Sequence, residues 1–161
     1  LKIDNIMLDS NHNAKLIDFG LVSINECLLS NYSFVSHSMT KGIGTLDFMS
    51  PEMLNEEDYD CKTDVFSFGI VLYYIFVGML PHYSLKDRIE GNPINLPESS
   101  NSISKFGLSL IFKCLQKDPK KRPTFNEILQ ELRENSYQLA GDVNSTVISK
   151  VDQDLESLKL A

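Results

Sequence analysis

The sequence is poor in cysteine and in positive charge. Its three cysteines stand far apart, with no C-x-x-C pair that would suggest zinc and no framework that would suggest secretion. No segment resembles a signal peptide, so we expect reduced thiols and an intracellular, cytoplasmic setting, including that of a cytoplasmic domain of a larger protein. Lysine and arginine number 15 against 22 aspartates and glutamates. The net charge of −7 argues against general nucleic-acid binding, which needs cations to neutralise phosphates.

One long stretch has no charged residue at all. It runs from Val65 to Leu80, and in a helix its apolar side chains would point to every side. Such a helix must be buried in a protein core or in a bilayer. A membrane span usually needs about 20 apolar residues and strands rarely exceed about 10, so we predict a buried central helix over about residues 64–79 and no membrane segment. Thr63 or Asp64 is predicted to cap it.

The first half of the chain predicts a hairpin followed by a long loop. Apolar runs at residues 6–8 and 14–17 flank a stretch of Asp, Asn and Ser that favours turns, which is typical of a small β-hairpin. Residues 21–45 are rich in serine and show little periodicity. A polar loop of this length in a compact domain is usually functional or mobile.

The second half of the chain predicts two further helices. Residues 81–104 are expected to be irregular, because Pro93 and Pro97 break a helix. Apolar residues then recur at helical spacing in two sets: Leu108, Ile111, Phe112 and Leu115, then Phe125, Ile128, Leu129 and Leu132. Thr124 and Glu127 have the spacing of a capping box before the second set. Residues 135–161 are expected to form a polar tail, flexible or loosely helical.

Five short motifs follow one another in the chain. They are Leu1-Lys2-Ile3-Asp4-Asn5, Asp18-Phe19-Gly20, Ser50-Pro51-Glu52, the run D-V-F-S-F-G from Asp64, and the run D-P-K-K-R-P-T that contains Arg122. In this order they resemble the second half of a eukaryotic protein kinase domain, whose signatures include H-R-D-L-x-x-x-N, D-F-G and A-P-E. The resemblance covers residues 1–134. It implies a mainly α fold with a short β-hairpin, namely a kinase C-lobe built around the central helix, with an activation segment at 18–52.

The resemblance also implies a reaction and the residues that perform it. The cofactors would be ATP and Mg²⁺, and the partner a protein substrate with a serine or threonine acceptor. Asn5 and Asp18 resemble the metal ligands, and their hard oxygen atoms suit Mg²⁺. Lys2 resembles the catalytic-loop lysine that contacts the transferred phosphate, and Thr45 resembles the threonine that fixes that loop and the substrate hydroxyl. Tyrosine kinases typically differ at both positions, and the sequence around the S-P-E motif is most similar to the tyrosine-kinase-like group.

Other positions have structural or regulatory roles by the same resemblance. Glu52 resembles a carboxylate that pairs, buried, with Arg122, and Asp64 resembles the aspartate that accepts backbone N–H bonds from the catalytic loop. Phe19 and Gly20 complete the D-F-G motif as structural residues. Three candidate phosphorylation sites lie in the long loop: Ser36, Ser38 and Thr40. Thr40 follows Met39 where tyrosine-kinase-like sequences place a phosphorylatable Met-Thr pair.

Several parts of a kinase domain do not occur among these 161 residues. The sequence contains no G-x-G-x-x-G loop and no β3 lysine, and the H-R-D aspartate would stand immediately before Leu1. We therefore expect a truncated kinase domain that is inactive by itself. The alternative is a short protein in its own right, a non-catalytic binding module or pseudokinase-like decoy made of the C-lobe alone.

Overall fold

The computed structural model describes residues 1–18, 46–97, 103–135 and 138. Within these ranges the chain is mostly helical, with one two-stranded antiparallel sheet. The strands are β1 (Ile6–Leu8) and β2 (Ala14–Leu16). The helices are α1 (Pro51–Leu54), α2 (Lys62–Val77), α3 (Leu85–Glu90), α4 (Lys105–Cys114) and α5 (Phe125–Asn135). Short 3₁₀ turns occur at Ile3–Asn5, Leu46–Phe48 and Pro119–Lys121. The predicted mainly helical fold with a small hairpin is confirmed at this level.

The hairpin is closed by the side chain of Asp9. Its Oδ1 accepts hydrogen bonds from the backbone N–H groups of Asn11 and Asn13, both at 2.9 Å. These bonds, that of Asn13 above all, lower the pKa of the Asp9 carboxyl. Ile6 pairs with Leu16 across the strands, so the first residue of β1 lies beside the last residue of β2. The register therefore brings the segments before β1 and after β2 to one end of the hairpin.

The long apolar stretch forms α2, which starts and ends two residues earlier than predicted. The carboxylate of Asp60 accepts from the backbone N–H of Lys62 at 2.8 Å, and neither Thr63 nor Asp64 caps the helix. That prediction is wrong because both side chains have other partners, described below. The helix ends at Gly78, whose φ of 81° is the left-handed conformation that favours glycine and whose N–H bonds to the Tyr74 carbonyl.

Burial of α2 is confined to its first three turns. Val65, Phe66 and Ile70 are at most 1% exposed, whereas Ile75 near the far end is 66% exposed. The prediction of burial on every side is therefore wrong for the last turn.

Helix α4 packs against α2 through a very close approach at Gly69. A Cβ at this position would lie 2.8 Å from Cβ of Cys114, closer than side chains normally come. The residues of α4 that face the core are Gly107, Leu110, Ile111 and Cys114, with Leu115 just after the helix. The predicted stripe is thus rotated: Phe112 is 37% exposed, because the close contact turns the small residues Gly107 and Cys114 inward.

The segment expected to be irregular contains a helix. Ser84 caps α3 by accepting the backbone N–H of Asp87 at 3.1 Å, and Gly91 ends it with a φ of 79°. The prediction was wrong because Pro93 lies beyond the helix end and interrupts nothing. The pattern of Ser, then Asp three residues later, then Gly, is a capping signature that sequence inspection could have found.

Helix α5 begins at the predicted capping box. The Glu127 carboxylate accepts from the backbone N–H of Thr124 at 2.6 Å, and the Thr124 hydroxyl accepts from the N–H of Glu127 at 3.2 Å. That prediction is confirmed. Of the predicted stripe Ile128 is buried, while Phe125 and Leu129 are 44% and 40% exposed. Apart from Asn135 and Gln138, the predicted tail lies outside the described residues. No helix in the described ranges has both the length and the apolar character needed to cross a membrane.

Candidate functional site

Asn5 and Asp18 lie at the same end of the hairpin. The backbone N–H of Ile17 donates to the Asn5 carbonyl at 2.9 Å, which extends the pairing of the strands by one more bond. Asp18 follows directly, with an exposed side chain and a φ of 58°. A left-handed backbone is uncommon for a residue other than glycine, and such residues concentrate at functional sites. Asn5 itself is half-buried at the end of the Ile3–Asn5 turn, where its N–H bonds to the Lys2 carbonyl.

The side chains at this end suit a hard divalent cation. A carboxylate and a carboxamide offer oxygen ligands, and Mg²⁺ in nucleotide sites is usually held by one or two protein oxygens together with phosphates and waters. No group of three or more His, Cys, Asp or Glu residues that could hold a metal occurs within the described ranges. A metal bound at this pair would therefore need further ligands, such as phosphate oxygens and waters, beyond the two protein oxygens.

Asp64 connects the first residues of the chain to α2. The nitrogen of Leu1, a terminal ammonium group in these 161 residues, donates to its Oδ1 at 3.0 Å. Because Asp64 lies in the first turn of α2, this contact places residues 1–5 against the N-terminal end of that helix. Lys2, which immediately precedes the Ile3–Asn5 turn, is half-buried in the same region.

Glu52 and Arg122 form a buried ion pair with two parallel hydrogen bonds. The Nη1 and Nη2 atoms of Arg122 lie 2.6 and 2.7 Å from the two carboxylate oxygens of Glu52. The Arg122 side chain is fully buried and that of Glu52 is 4% exposed. Thr63 Oγ1 adds a third hydrogen bond to the carboxylate, at 3.0 Å, which is why Thr63 does not cap α2.

The remaining donors of Arg122 bind backbone carbonyl groups. Nε donates to Gln116, Nη1 to Lys62 and Nη2 to Lys117, at 2.7–3.0 Å. All five N–H groups of the guanidinium therefore have acceptors. The guanidinium also lies 5.0 Å from the centre of the Phe66 ring, within the range of a cation–π contact. Arg122 thus joins α1, the start of α2 and the connection after α4.

Several predicted site residues lie outside the described residues. They are Phe19, Gly20, Thr45 and the three candidate phosphorylation sites Ser36, Ser38 and Thr40. The next described residue is Leu46, directly after Thr45, where the Leu46–Phe48 turn begins. The structure therefore gives the position of the backbone at the end of the long loop.

One buried charged residue, Arg88 in α3, was not predicted from the sequence. It is 2% exposed, and its guanidinium donates to the carbonyl groups of Leu46, Met49 and Tyr83. No motif contains it, and the segment was expected to be irregular. The only available signal was the capping pattern around it, which predicts the helix without predicting burial of the arginine.

A groove of about 560 Å³ lies next to Tyr83. Its lining includes Tyr83, Asn92, Phe112 and Lys117, and none of the predicted site residues. Both signs of charge occur around it, with Glu57 and Asp118 beside Lys117 and Lys121. The groove therefore has no bias toward a ligand of one charge.

Comparisons with known proteins agree with the motifs. The family model described as "Protein kinase domain" matches residues 1–132. Two probable serine/threonine-protein kinases of Dictyostelium discoideum are 36% and 39% identical to the chain over 137 and 142 residues. A probable serine/threonine-protein kinase of Arabidopsis thaliana, CST, is 31% identical over 151 residues. These matches cover 82%, 83% and 81% of this chain, and 8%, 14% and 35% of the relatives.

The chain belongs to the protein kinase domain family. It is a partial serine/threonine protein kinase domain, and it spans only a small part of the length of its curated relatives.

Proposed function

We propose that residues 1–134 are the C-lobe of a tyrosine-kinase-like serine/threonine kinase within a longer protein. The intact protein would transfer the γ-phosphoryl group of ATP to serine or threonine residues of protein substrates, with Mg²⁺. One observation carries this proposal: the backbone bond between Ile17 and Asn5 brings Asn5 and Asp18 to one end of the hairpin. Phosphoryl transfer depends chiefly on positioning and on neutralising charge, and these two residues offer suitable oxygen ligands there.

Each residue would have a separate part in this reaction. Asp18 and Asn5 would hold Mg²⁺, which neutralises charge on the ATP phosphates when it is bound. Lys2 would contact the transferred phosphate from the same loop. Thr45 would fix that loop and the substrate hydroxyl.

The other matched residues would keep these groups in place. The contact between Leu1 and Asp64 ties residues 1–5 to the start of α2, which is packed into the core. The Glu52–Arg122 pair anchors α1, which follows the 46–49 segment, to the rest of the lobe. A site whose segments are tied to packed helices keeps catalytic distances fixed during turnover.

The proposed metal ligands can be tested in the longer protein with alanine variants. We expect Asp18→Ala and Asn5→Ala each to lower the rate of phosphate transfer by at least about a hundredfold, because charge neutralisation is lost. The melting temperature of Asp18→Ala without nucleotide should stay unchanged, since the Asp18 side chain is exposed. Asp58→Ala, at an exposed acidic position outside the five motifs, is the matched control and should keep normal activity. Near-normal activity of Asp18→Ala at saturating Mg²⁺ would contradict the proposal.

The 161-residue chain alone is expected to be inactive. It contains neither a Gly-rich loop nor a β3 lysine, which together position the ATP phosphates in kinases. An assay of Mg-ATP-dependent transfer to a generic protein substrate checks this expectation. Transfer at rates near the roughly 1–100 s⁻¹ of kinases would contradict it.

A third part of the proposal concerns regulation by the long loop. A phosphate on Thr40, or on the neighbouring Ser36 or Ser38, would add about −1.5 to −2 charge and could order the loop by binding cations. Lys41 is adjacent in sequence, and the arginine of an H-R-D motif in the longer protein would be the main partner. Phosphorylation is therefore proposed to activate the intact kinase.

A further inference from the structure

Arg88 holds the turn that follows the long loop. Its Nη1 donates to the Leu46 carbonyl at 2.6 Å and to the Met49 carbonyl at 3.0 Å. We propose that Arg88 is a positioning residue that fixes residues 46–49, here called the 46–49 turn, for binding of the protein substrate. This inference rests on the proposed function, because the importance of the turn for the substrate comes from its place next to Thr45.

The 46–49 turn is held by burial of Phe48 in the core and by hydrogen bonds from other elements to its carbonyl oxygens. Ser67 Oγ in α2 donates to the Phe48 carbonyl at 2.7 Å, between the two carbonyls that Arg88 binds. Within the turn, the Met49 N–H bonds to Leu46 at 3.2 Å. Side chains of α2 and α3 thus donate three hydrogen bonds to the carbonyl groups of the turn. Arg88 donates two of them and Ser67 the third.

On its other side Arg88 is fixed by Tyr83. Its Nη2 donates to the Tyr83 carbonyl at 3.0 Å, and the guanidinium lies 5.4 Å from the centre of the Tyr83 ring. The Tyr83 hydroxyl is in turn bonded to the Asn92 carbonyl at 3.0 Å. Tyr83 precedes α3 and Asn92 follows it, so these contacts fix the position of Arg88 relative to both ends of the helix. From this position its guanidinium contacts the 46–49 turn.

The hydrogen bonding of the Arg88 guanidinium is less complete than that of Arg122. Its Nε has no hydrogen-bond partner among the described residues. Burial lowers the pKa of the Arg88 guanidinium and the charge of Asp47 offsets this only in part, whereas Arg122 is fully buried with Glu52 and uses all five donors. Burying a charge without full compensation costs free energy. Arg88 nevertheless fixes the position of the turn, because Nη1 of its planar guanidinium binds two carbonyls of the turn while Nη2 binds that of Tyr83.

The place of the turn connects this contact to the substrate. Leu46 is the residue after Thr45, which is proposed to contact the substrate hydroxyl, and Met49 leads into Ser50 and α1. Displacing the 46–49 turn would move the backbone beside Thr45. The ATP phosphates would be bound elsewhere, at Asn5 and Asp18. Loss of Arg88 should therefore weaken binding of the protein substrate and leave ATP binding intact.

The test measures steady-state kinetics of Arg88→Met and Arg88→Lys in the longer protein. Two lost hydrogen bonds predict a KM for the protein substrate that rises about tenfold in Arg88→Met, with the KM for ATP within about twofold of wild type. Arg88→Lys should give an intermediate KM for the protein substrate, since an ammonium can still donate to a carbonyl but lacks the planar arrangement of donors of a guanidinium. Lys86→Met, which removes an exposed cation from the same helix, is the matched control and should change neither KM.

Hydrogen exchange gives a readout that does not depend on activity. The Met49 amide should exchange about tenfold faster in Arg88→Met than in wild type, because the carbonyl anchors of the turn are lost. If wild type transfers no phosphate, the proposed function fails, while the exchange rate still decides whether Arg88 holds the turn. The inference is overturned if the Met49 amide exchanges at the same rate in Arg88→Met as in wild type. It is also overturned if both KM values rise and kcat falls by similar factors. If Arg88→Met does not fold, Arg88→Lys with the same two readouts decides.

Discussion

Arg122 and Glu52 are 70 positions apart in the chain and are joined by two hydrogen bonds of 2.6 and 2.7 Å. The pair is buried, and the guanidinium also binds three backbone carbonyl groups. A charge-assisted bidentate contact of this kind fixes distance and orientation together. It connects α1 to the segment between α4 and α5.

Removing the carboxylate should destabilise the protein strongly. Glu52→Ala leaves the Arg122 guanidinium buried without its counter-charge, a change that typically costs about 3–5 kcal/mol in the free energy of unfolding. Urea denaturation of the longer protein checks this value. Glu134→Ala, at an exposed position in α5, is the control and should change the free energy by less than about 0.5 kcal/mol. A loss below about 1 kcal/mol for Glu52→Ala would contradict the prediction.

The same pair predicts a pH dependence of stability. Burial alone would raise the pKa of Glu52, but the hydrogen bonds and charge of Arg122 outweigh it, so the pKa lies below its ordinary value of 4.5. Between the folded and the unfolded pKa the unfolded state binds more protons. The contribution of Glu52 is therefore complete above about pH 4.5 and is lost as the pH falls through the folded pKa.

This pH dependence can be measured with Glu52→Gln. The difference in free energy of unfolding between wild type and variant should be largest above pH 4.5 and should shrink on acidification. Urea denaturation at a series of pH values on both sides of 4.5 provides the curve. A difference that is constant with pH would show that the charge of Glu52 contributes nothing.

Gly69→Ala should weaken the contact between α2 and α4. The added Cβ would lie 2.8 Å from Cβ of Cys114 and 2.9 Å from Cδ2 of Leu115. Overpacking of this kind costs about 1–3 kcal/mol, which exceeds the gain of up to about 1 kcal/mol from replacing glycine in a helix. Thermal unfolding should show a lower melting temperature. Ser109→Ala on the exposed face of α4 is the control, and a Gly69→Ala variant as stable as wild type would contradict the packing argument.

The two cysteines of the described residues should differ in reactivity. Cys61 is exposed, whereas Cys114 is buried, and burial raises the pKa of its thiol to about 12. The thiolate is the reactive form, so Cys114 should resist alkylation until the protein unfolds. Mass spectrometry after iodoacetamide treatment, in a Cys27→Ser background, distinguishes the two sites. Modification of Cys114 in the native protein at the rate of Cys61 would refute the prediction.

The proposed switch in the long loop predicts different phenotypes for two threonines. Phosphatase treatment should lower the activity of the wild-type longer protein, and Thr40→Ala should resemble the treated enzyme. Thr45→Ala should be inactive whether or not phosphatase is added, because its hydroxyl is proposed to act in catalysis. If phosphatase leaves the wild type unchanged and Thr40→Ala matches it, the loop does not regulate the enzyme.

Local sequence patterns predicted the elements that local interactions stabilise. The hairpin follows from turn-forming residues around Asp9, and the start of α5 follows from the Thr124–Glu127 capping box. Both signals involve residues within four positions of each other, so the sequence displays them directly. The Ser84–Asp87 cap is equally local and predicts α3, although Pro93 obscured it.

The sequence by itself also determined the family, through motifs whose order and residue types are specific to protein kinase domains. Only the tertiary structure decided which faces are buried. The rotation of α4 depends on Gly69 fitting against Cys114, and the exposure of Ile75 depends on what packs beside it. The role of Arg88 was hidden for the same reason: its acceptors at Leu46 and Met49 lie about 40 positions earlier in the chain. Backbone carbonyls exist at every residue, so no sequence pattern shows which of them a distant arginine will bind.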